Sequence, residues 1–316
     1  MAAITAATVK ELREMTGAGM MDCKKALAET DGDMDKAVEY LREKGLAGSE
    51  KKAGRQTVEG LSLTCATEDG KKAAVVEVNI ETDFAANTDK FKDYVNAVAK
   101  QALDSSAADM DSFLAEKWAK DPSMTVEDSR KQAVADISEN IGIRRFERVE
   151  EANGFVATYI HAGGKIGVIV DIETDVINDA VKEMGKNIAM QVAALSPKYT
   201  RSSDIEDSYI EHEKEILKAQ IENDPKEAAK PDKVKEGMIM GRINKELKEI
   251  CLVDQIYVKA EDGKQSVQKY VDEVAKANNA KINIKGFVRF QTGEGMEKKE
   301  EDYAAEVAKQ IAAASN

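Results

Sequence analysis

Histidine is nearly absent: His161 and His212 are the only two in the chain. A histidine-rich metal site is excluded on that count, and a nucleophilic triad would have to take its base from this pair. The three cysteines, Cys23, Cys65 and Cys251, are odd in number and far apart. They offer neither a disulfide framework nor a zinc spacing, so a reducing, cytoplasmic location is expected. One tryptophan, eight tyrosines and seven phenylalanines leave little for base-stacking platforms. No apolar run approaches the ~18 residues of a spanning helix. The start, Met1-Ala2-Ala3-Ile4-Thr5, lacks the basic-then-apolar order of a signal peptide, and none is expected. There is no Walker-type loop and no Gly-x-Gly-x-x-Gly after a strand.

What is abundant is charge, with an acidic excess. Lys and Arg number 46 against 59 Asp and Glu, a formal charge of −13. That balance argues against nucleic acid and against an anionic membrane as direct partners. Hydrophobic residues, 42% of 316, suffice for a core, and the length suggests two domains or three small ones. The composition points to a protein that works by contact rather than by bond chemistry, with no cofactor, no metal and no enzymatic activity of its own.

Residues 4–45 read as three short helices. Thr5 is placed to cap the first, with Ile4 and Val9 as a hydrophobic staple. Val9, Leu12 and Met15 form an apolar stripe. Gly17 and Gly19 break that helix, Asp22 is placed to cap the second and Asp33 the third, and Gly45 marks the stop. Residues 46–57 read as a polar linker. Two apolar, β-branched runs, Leu61–Thr67 and Ala73–Ile80, flank Asp69-Gly70, a hairpin signal. A helix from about Thr88 carries Phe91, Val95 and Val98. Pro122 breaks the chain, and Thr125 starts another helix. A second β region covers Arg144–Glu150, Phe155–His161 and Ile166–Glu173, with a turn at Ala162-Gly163-Gly164-Lys165. A helix with Val181, Ile188 and Val192 ends before Pro197.

The β regions look like copies. Val76 to Phe84 aligns without gaps with Val168 to Val176, 92 residues on, and six of nine positions are identical. Between the second copy and the end, residues 204–222 and 232–250 carry narrow apolar seams bracketing Pro225 and Pro231, the pattern of an antiparallel helical hairpin. A strand at Gly286–Phe290 and a final helix with Tyr303, Val307 and Ile311 follow. The charge run at 297–302 reads as a solvated helix start.

Thr82-Asp83-Phe84 sits where strand gives way to helix. Asp83 is suited to accepting amides at the helix start and Phe84 to packing beneath it. Against that, the second copy keeps the acidic turn but has Val176 in place of Phe84, so an aromatic at one corner only suggests a protruding contact. Of the adjacent Met20 and Met21, one is expected partly exposed as an adaptable contact; burial of both at a helix corner is the alternative. His161 reads as a solvent-edge histidine, His212 as surface, and Glu81, Asp83, Glu173 and Asp175 as turn formers rather than metal ligands.

Leu12-Arg13-Glu14-Met15-Thr16-Gly17-Ala18-Gly19-Met20-Met21-Asp22-Cys23-Lys24-Lys25-Ala26-Leu27 and Glu77-Val78-Asn79-Ile80-Glu81-Thr82-Asp83-Phe84-Ala85-Ala86-Asn87 resemble the elongation factor Ts family of bacterial translation factors. Matching stretches continue at Glu139-Asn140-Ile141, Arg144-Arg145, Tyr159-Ile160-His161 and Gly286 through Gly295. The resemblance implies a nucleotide exchange factor for the GTPase elongation factor Tu, with an α+β fold. Its expected parts are a ubiquitin-associated-like three-helix module with linker (1–54), core subdomain N (55–147) and core subdomain C (148–203 and 256–292). An antiparallel coiled-coil hairpin (204–255) and a C-terminal helical module (293–316) complete it. It implies that Thr82, Asp83, Phe84 and Ala85 enter the partner near its magnesium site. It further implies partner contacts at Arg13, Met20, Met21, Lys24, Ile137 and His161. Homodimer and heterotetramer with the partner both stay open. Ala85 stands where the family usually has valine, and Ser138 and Gly142 depart from its usual Ile-Gly-Glu-Asn-Ile pattern. Residues 104–124 match poorly and receive no role. Two rival readings are a passive adaptor and a carboxylate-metal hydrolase.

Overall fold

A computed structural model of the chain describes residues 4–16 and 18–297, and of residues 46–51 the backbone alone. The break expected at Gly17 and the final helix with Tyr303, Val307 and Ile311 lie outside the described residues.

Three helices come first: α1 (Ala6–Thr16), α2 (Met20–Glu29) and α3 (Met34–Lys52). Val9, Leu12, Cys23, Ala26, Leu27 and Ala37 close a small core between them. Thr5 and Asp33 cap as expected, accepting from Thr8 N at 3.2 Å and Lys36 N at 3.1 Å. Three local expectations fail. Helix α2 starts at Met20 behind Gly19, so Asp22 sits inside the first turn as a helix-start anion. Ile4 and Met15 lie 41% and 59% exposed, because a bundle this small has no core left at the ends of α1. Helix α3 runs on through Gly45 to Lys52, across part of the expected linker. A side chain on Gly45 would come 3.2 Å from Ala135 Cβ. The glycine permits a close helix crossing, and that contact overrides its tendency to end a helix.

Strands β1 (Glu59–Ala66) and β2 (Lys72–Ile80) form the expected hairpin, with Gly70 at φ 69° in its turn. Next come α4 (Asp83–Ala86), α5 (Asp89–Asp104), α6 (Met110–Ala115), β3 (Lys117–Trp118), β4 (Asp121–Thr125), α7 (Val126–Ile137) and β5 (Ile141–Glu150). Strand β5 pairs antiparallel with β2, so Arg144–Glu150 completes the first sheet rather than opening the second β region. The second sheet holds β6 (Gly154–His161), β7 (Ile166–Thr174) and β8 (Ile282–Gln291) in that order, all antiparallel. Between β7 and β8 lie α8 (Asp179–Leu195), α9 (Asp207–Asn223), α10 (Pro225–Ala228), α11 (Asp232–Ile250) and α12 (Val267–Asn278). Helices α9 and α11 run antiparallel: Tyr209 Oη, near the start of α9, donates to Glu246 near the end of α11 at 2.7 Å. The ends of this arm are tied together, since Lys198 N and Tyr199 N both donate to Ile250 O at 2.8 and 3.1 Å. The fold is α+β.

Alternation along β2 explains the layering. Ala74, Val76, Val78 and Ile80 face Phe91, Val95 and Val98 of α5. Ala73 and Val75 face the other way and meet Val156, Ile169 and Phe290 of the second sheet. Val168, Val170 and Ile172 in turn face α8. The order is helix, sheet, sheet, helix. The sheets approach so closely that a side chain on Gly167 would reach within 2.8 Å of Ser62 O. Glu77 is fully buried in this seam. It accepts from Arg144 Nη1 at 2.9 Å, Arg145 Nε at 2.6 Å, Asn79 Nδ2 at 3.2 Å and Gly293 N at 2.8 Å. Four donors satisfy the carboxylate, as burial demands.

The two halves follow the same path. Lys72 and Ile166 open β2 and β7, 94 residues apart. Val126 and Val267 open α7 and α12, and Ile141 and Ile282 open β5 and β8, 141 residues apart in both cases. Arg144 and Lys285 are equivalent one-residue bulges in β5 and β8. The ladders thus equate Glu77 with Asp171, two residues away from the correspondence read in the sequence. A shift of two keeps every side chain on its own face, so the apolar identities persist across it.

Asp171 lies beside Glu151 and Lys285, with Lys285 Nζ 3.6 Å from Asp171 Oδ2 and 2.6 Å from Glu151 Oε2. Burial and a hydrogen bond with Glu151 push the Asp171 carboxyl up to about 6, while the Lys285 ammonium holds Glu151 below its usual range. An unfolded aspartate titrates near ~3.9. Between these values the native state binds a proton that the unfolded chain does not. The contribution of Asp171 to stability therefore grows as pH falls from about 6 to about 4. Asp171→Asn should remove that increment, lowering the urea midpoint at about pH 4.5 relative to that at about pH 7, compared with wild type.

Candidate functional site

The corner after β2 is built by four hydrogen bonds of two threonines and an asparagine. Thr82 stays extended, and its hydroxyl accepts from Ala85 N at 3.2 Å, capping α4. Thr88 Oγ1 donates to Ala85 O at 2.7 Å and its oxygen then caps α5, accepting from Phe91 N at 3.3 Å. Asn87 Nδ2 donates to Asp83 O at 2.9 Å. Ala85 and Ala86 are buried against the first core. With its inner face used by two alanines, the turn can only point Phe84 outwards, and the ring is 85% exposed. The ring does not pack beneath the helix, and the capping role suited to Asp83 belongs to Thr82.

Opposite this turn lies the junction of α7 and β5. Thr82 N and Oγ1 both donate to the Glu139 carboxylate, at 3.0 and 2.8 Å. Asn140 N donates back to Glu81 Oε1 at 2.5 Å. Asn140 Nδ2 donates to Arg55 O at 2.8 Å, and Arg55 Nη1 approaches Glu81 Oε1 at 3.4 Å. Each strand end thus lends a carboxylate and receives an amide. Ser138, just before, sits in the left-handed region at φ 69°. Sequence reasoning gave Glu139 no role: it lies 57 residues from Thr82, and no local pattern signals such a pairing.

The turn carrying Phe84 is an addition to the shared fold. The cap Thr88 follows Ile80, the end of β2, by eight residues. The cap Asn178 follows Thr174, the end of β7, by four. The surplus matches the four residues of α4, Asp83–Ala86. The second half has no such turn, a difference more pronounced than Phe84 against Val176.

The other expected contact residues lie on α1, α2, α7 and β6. Met20 and Met21 are 57% and 75% exposed, so neither is buried at a helix corner. Lys24 and Arg13 are exposed on α2 and α1. Ile137 is half-buried, lining a cavity of about 250 Å³ with Tyr94, Trp118 and Met124. His161 is exposed at the end of β6, its Nδ1 3.1 Å from Tyr159 Oη. His212 is exposed on α9. Among the described residues no three of His, Cys, Asp and Glu converge as a metal-ligand set.

The family model described as "Elongation factor TS" matches residues 81–294. A Clostridium botulinum (strain Eklund 17B / Type B) protein named Elongation factor Ts is 47% identical over 308 residues, covering 98% of this chain and 99% of its own. A Clostridium tetani (strain Massachusetts / E88) protein of the same name is 48% identical over 308 residues, with the same coverage. That of Clostridium novyi (strain NT) is 46% identical over 308 residues, again with 98% and 99% coverage.

The geometry separates two roles at this corner. Phe84→Ala should leave unfolding stability within about 0.5 kcal/mol of wild type, because the ring packs on little. Thr82→Ala should cost about 1 kcal/mol, the worth of a helix cap. Urea titrations of both variants check the contrast, and a Phe84→Ala loss as large as that of Thr82→Ala would contradict it.

Proposed function

The chain belongs to the elongation factor Ts family, and from that premise we propose that it is a guanine-nucleotide exchange factor, binding elongation factor Tu and promoting GDP release during translation elongation. The observation that carries the reading at residue level is Phe84, 85% exposed at the tip of a turn added to one half only. A bare phenylalanine forgoes about 1.5–3 kcal/mol of burial, which a partner pocket recovers.

The mechanism is linkage. The factor binds the nucleotide-free GTPase more tightly than its GDP form, and by reciprocity it weakens GDP by the same factor. Phe84, held by a capped turn, wedges into the partner beside its magnesium and phosphate site. Asp83, exposed at the same tip, brings a carboxylate close to that cation. Once the ion's coordination is disturbed, the diphosphate loses its counter-charge and leaves. No bond is made or broken by the factor.

In the same reading, Arg13, Met20, Met21 and Lys24 form one docking surface on a ubiquitin-associated-like module spanning 1–54. Ile137 and His161 belong to docking surfaces on the two core subdomains, 55–147 and 148–203 with 256–292. Residues 204–255 form a coiled-coil arm, and most of the expected C-terminal module (293–316) lies outside the described residues. Among the described residues no helix is long and apolar enough to cross a membrane, and action in the cytoplasm, where translation runs, is part of the proposal.

Stopped-flow release of fluorescent GDP from elongation factor Tu tests it. Phe84→Ala should lose about 30-fold of the stimulation, the equivalent of a ~2 kcal/mol hot spot. Unchanged stimulation by that variant would sink the wedge. A wild-type factor that binds without accelerating release would be an adaptor instead.

A further inference from the structure

We infer that Glu139 is a positioning residue for nucleotide exchange, fixing the angle at which the Asp83–Ala86 turn presents Phe84. The inference rests on Phe84 acting as the wedge, as proposed above. Geometry carries it first. Thr82 Oγ1 gives its hydrogen to Glu139 Oε1 at 2.8 Å and accepts from Ala85 N at 3.2 Å. A hydroxyl has one hydrogen and rotates to suit its partners. By taking that hydrogen, Glu139 turns a lone pair towards Ala85 N, and by taking Thr82 N at 3.0 Å it fixes the peptide leading into the turn.

The second half of the molecule supplies an independent comparison. Both halves keep the bond that closes the third strand onto the second: Asn140 N to Glu81 Oε1 at 2.5 Å, and Lys281 N to Asp175 Oδ1 at 2.7 Å. That bond belongs to the fold. The Glu139 contact does not recur, because the equivalent position is Ala280, just after the left-handed residue Asn279. The half without a carboxylate there is also the half without the added turn. Glu139 therefore goes with the Phe84 turn and not with the sheet.

Release of fluorescent GDP from elongation factor Tu, followed across concentrations of the full-length factor, separates the plateau rate from the half-saturating concentration. Glu139→Ala should lower the plateau about tenfold, since small misplacements of a working group are costly. Its half-saturating concentration should stay within about twofold, because the rest of the docking surface is intact. Glu139→Gln keeps a carbonyl oxygen for Thr82 and should recover to within about threefold of wild type. In the Phe84→Ala background, Glu139→Ala should slow release no further, since it acts through the ring. If Glu139→Ala fails to fold, Glu139→Gln and Thr82→Val carry the test, with Thr82→Val expected to slow the plateau. Wild-type plateaus for Glu139→Ala and Thr82→Val beside a slow Phe84→Ala overturn the positioning role and leave the wedge standing. A full further loss in the double variant also overturns it, because Glu139 would then act on the partner directly. A wild-type rate for Phe84→Ala removes the wedge itself, and this inference with it.

Discussion

The register of β5 against β2 governs the rest of the molecule, and a buried carboxylate sets it. Glu77 holds Arg144 and Arg145, consecutive residues on the neighbouring strand. Consecutive side chains on a regular strand point to opposite faces, so gripping both requires a bulge, and Arg144 is the residue skipped by the ladder. That skip puts Ile141 opposite Ile80. It also brings Glu139 and Asn140 beside Glu81 and Thr82, where the reciprocal carboxylate and amide contacts form. A buried ion pair of this kind adds little net stability over apolar packing, and its best-attested use is to specify register. Gly293 N and the stacking of Arg145 on Phe290, 4.1 Å from guanidinium to ring centre, extend the same constraint into the second sheet.

The duplicated path separates what the fold needs from what was added to it. Strand lengths, bulges, left-handed helix ends and strand-closing bonds recur in both halves. Two features do not: the α4 turn in the first half and the α9–α11 arm in the second. The turn is small, yet it changes the character of its corner. Two alanines anchor it, a threonine caps it, and its one large apolar side chain is left in water. A globular chain ordinarily buries such a ring; here a firmly hydrogen-bonded tip holds it exposed.

Much of the fold was legible because its signals are local. Asp69-Gly70 between β-branched runs, Thr88 before Phe91, Val95 and Val98, and Thr125 before α7 each carry their structure in a few adjacent residues. The failures are non-local. Nothing in Arg144–Glu150 says which sheet it joins, since that depends on Glu77 sixty-odd residues earlier. Gly45 reads as a helix stop until Ala135 is known to lie against it. The gapless match of Val76–Phe84 with Val168–Val176 concealed the extra turn, because an even register slip leaves apolar alternation unchanged. At the candidate site, position and residue type marked the Thr82–Phe84 corner. Its outward ring and its support from Glu139 became evident only in three dimensions.

The arm between α8 and α12 enters and leaves the second half at one place, where Lys198 and Tyr199 share the carbonyl of Ile250. A segment joined in this way is thermodynamically almost free to change length, since the entropy of closing a loop rises only with the logarithm of its size. The arm is thus a grafted appendage whose length can be extended or trimmed without disturbing the Phe84 corner in the opposite half.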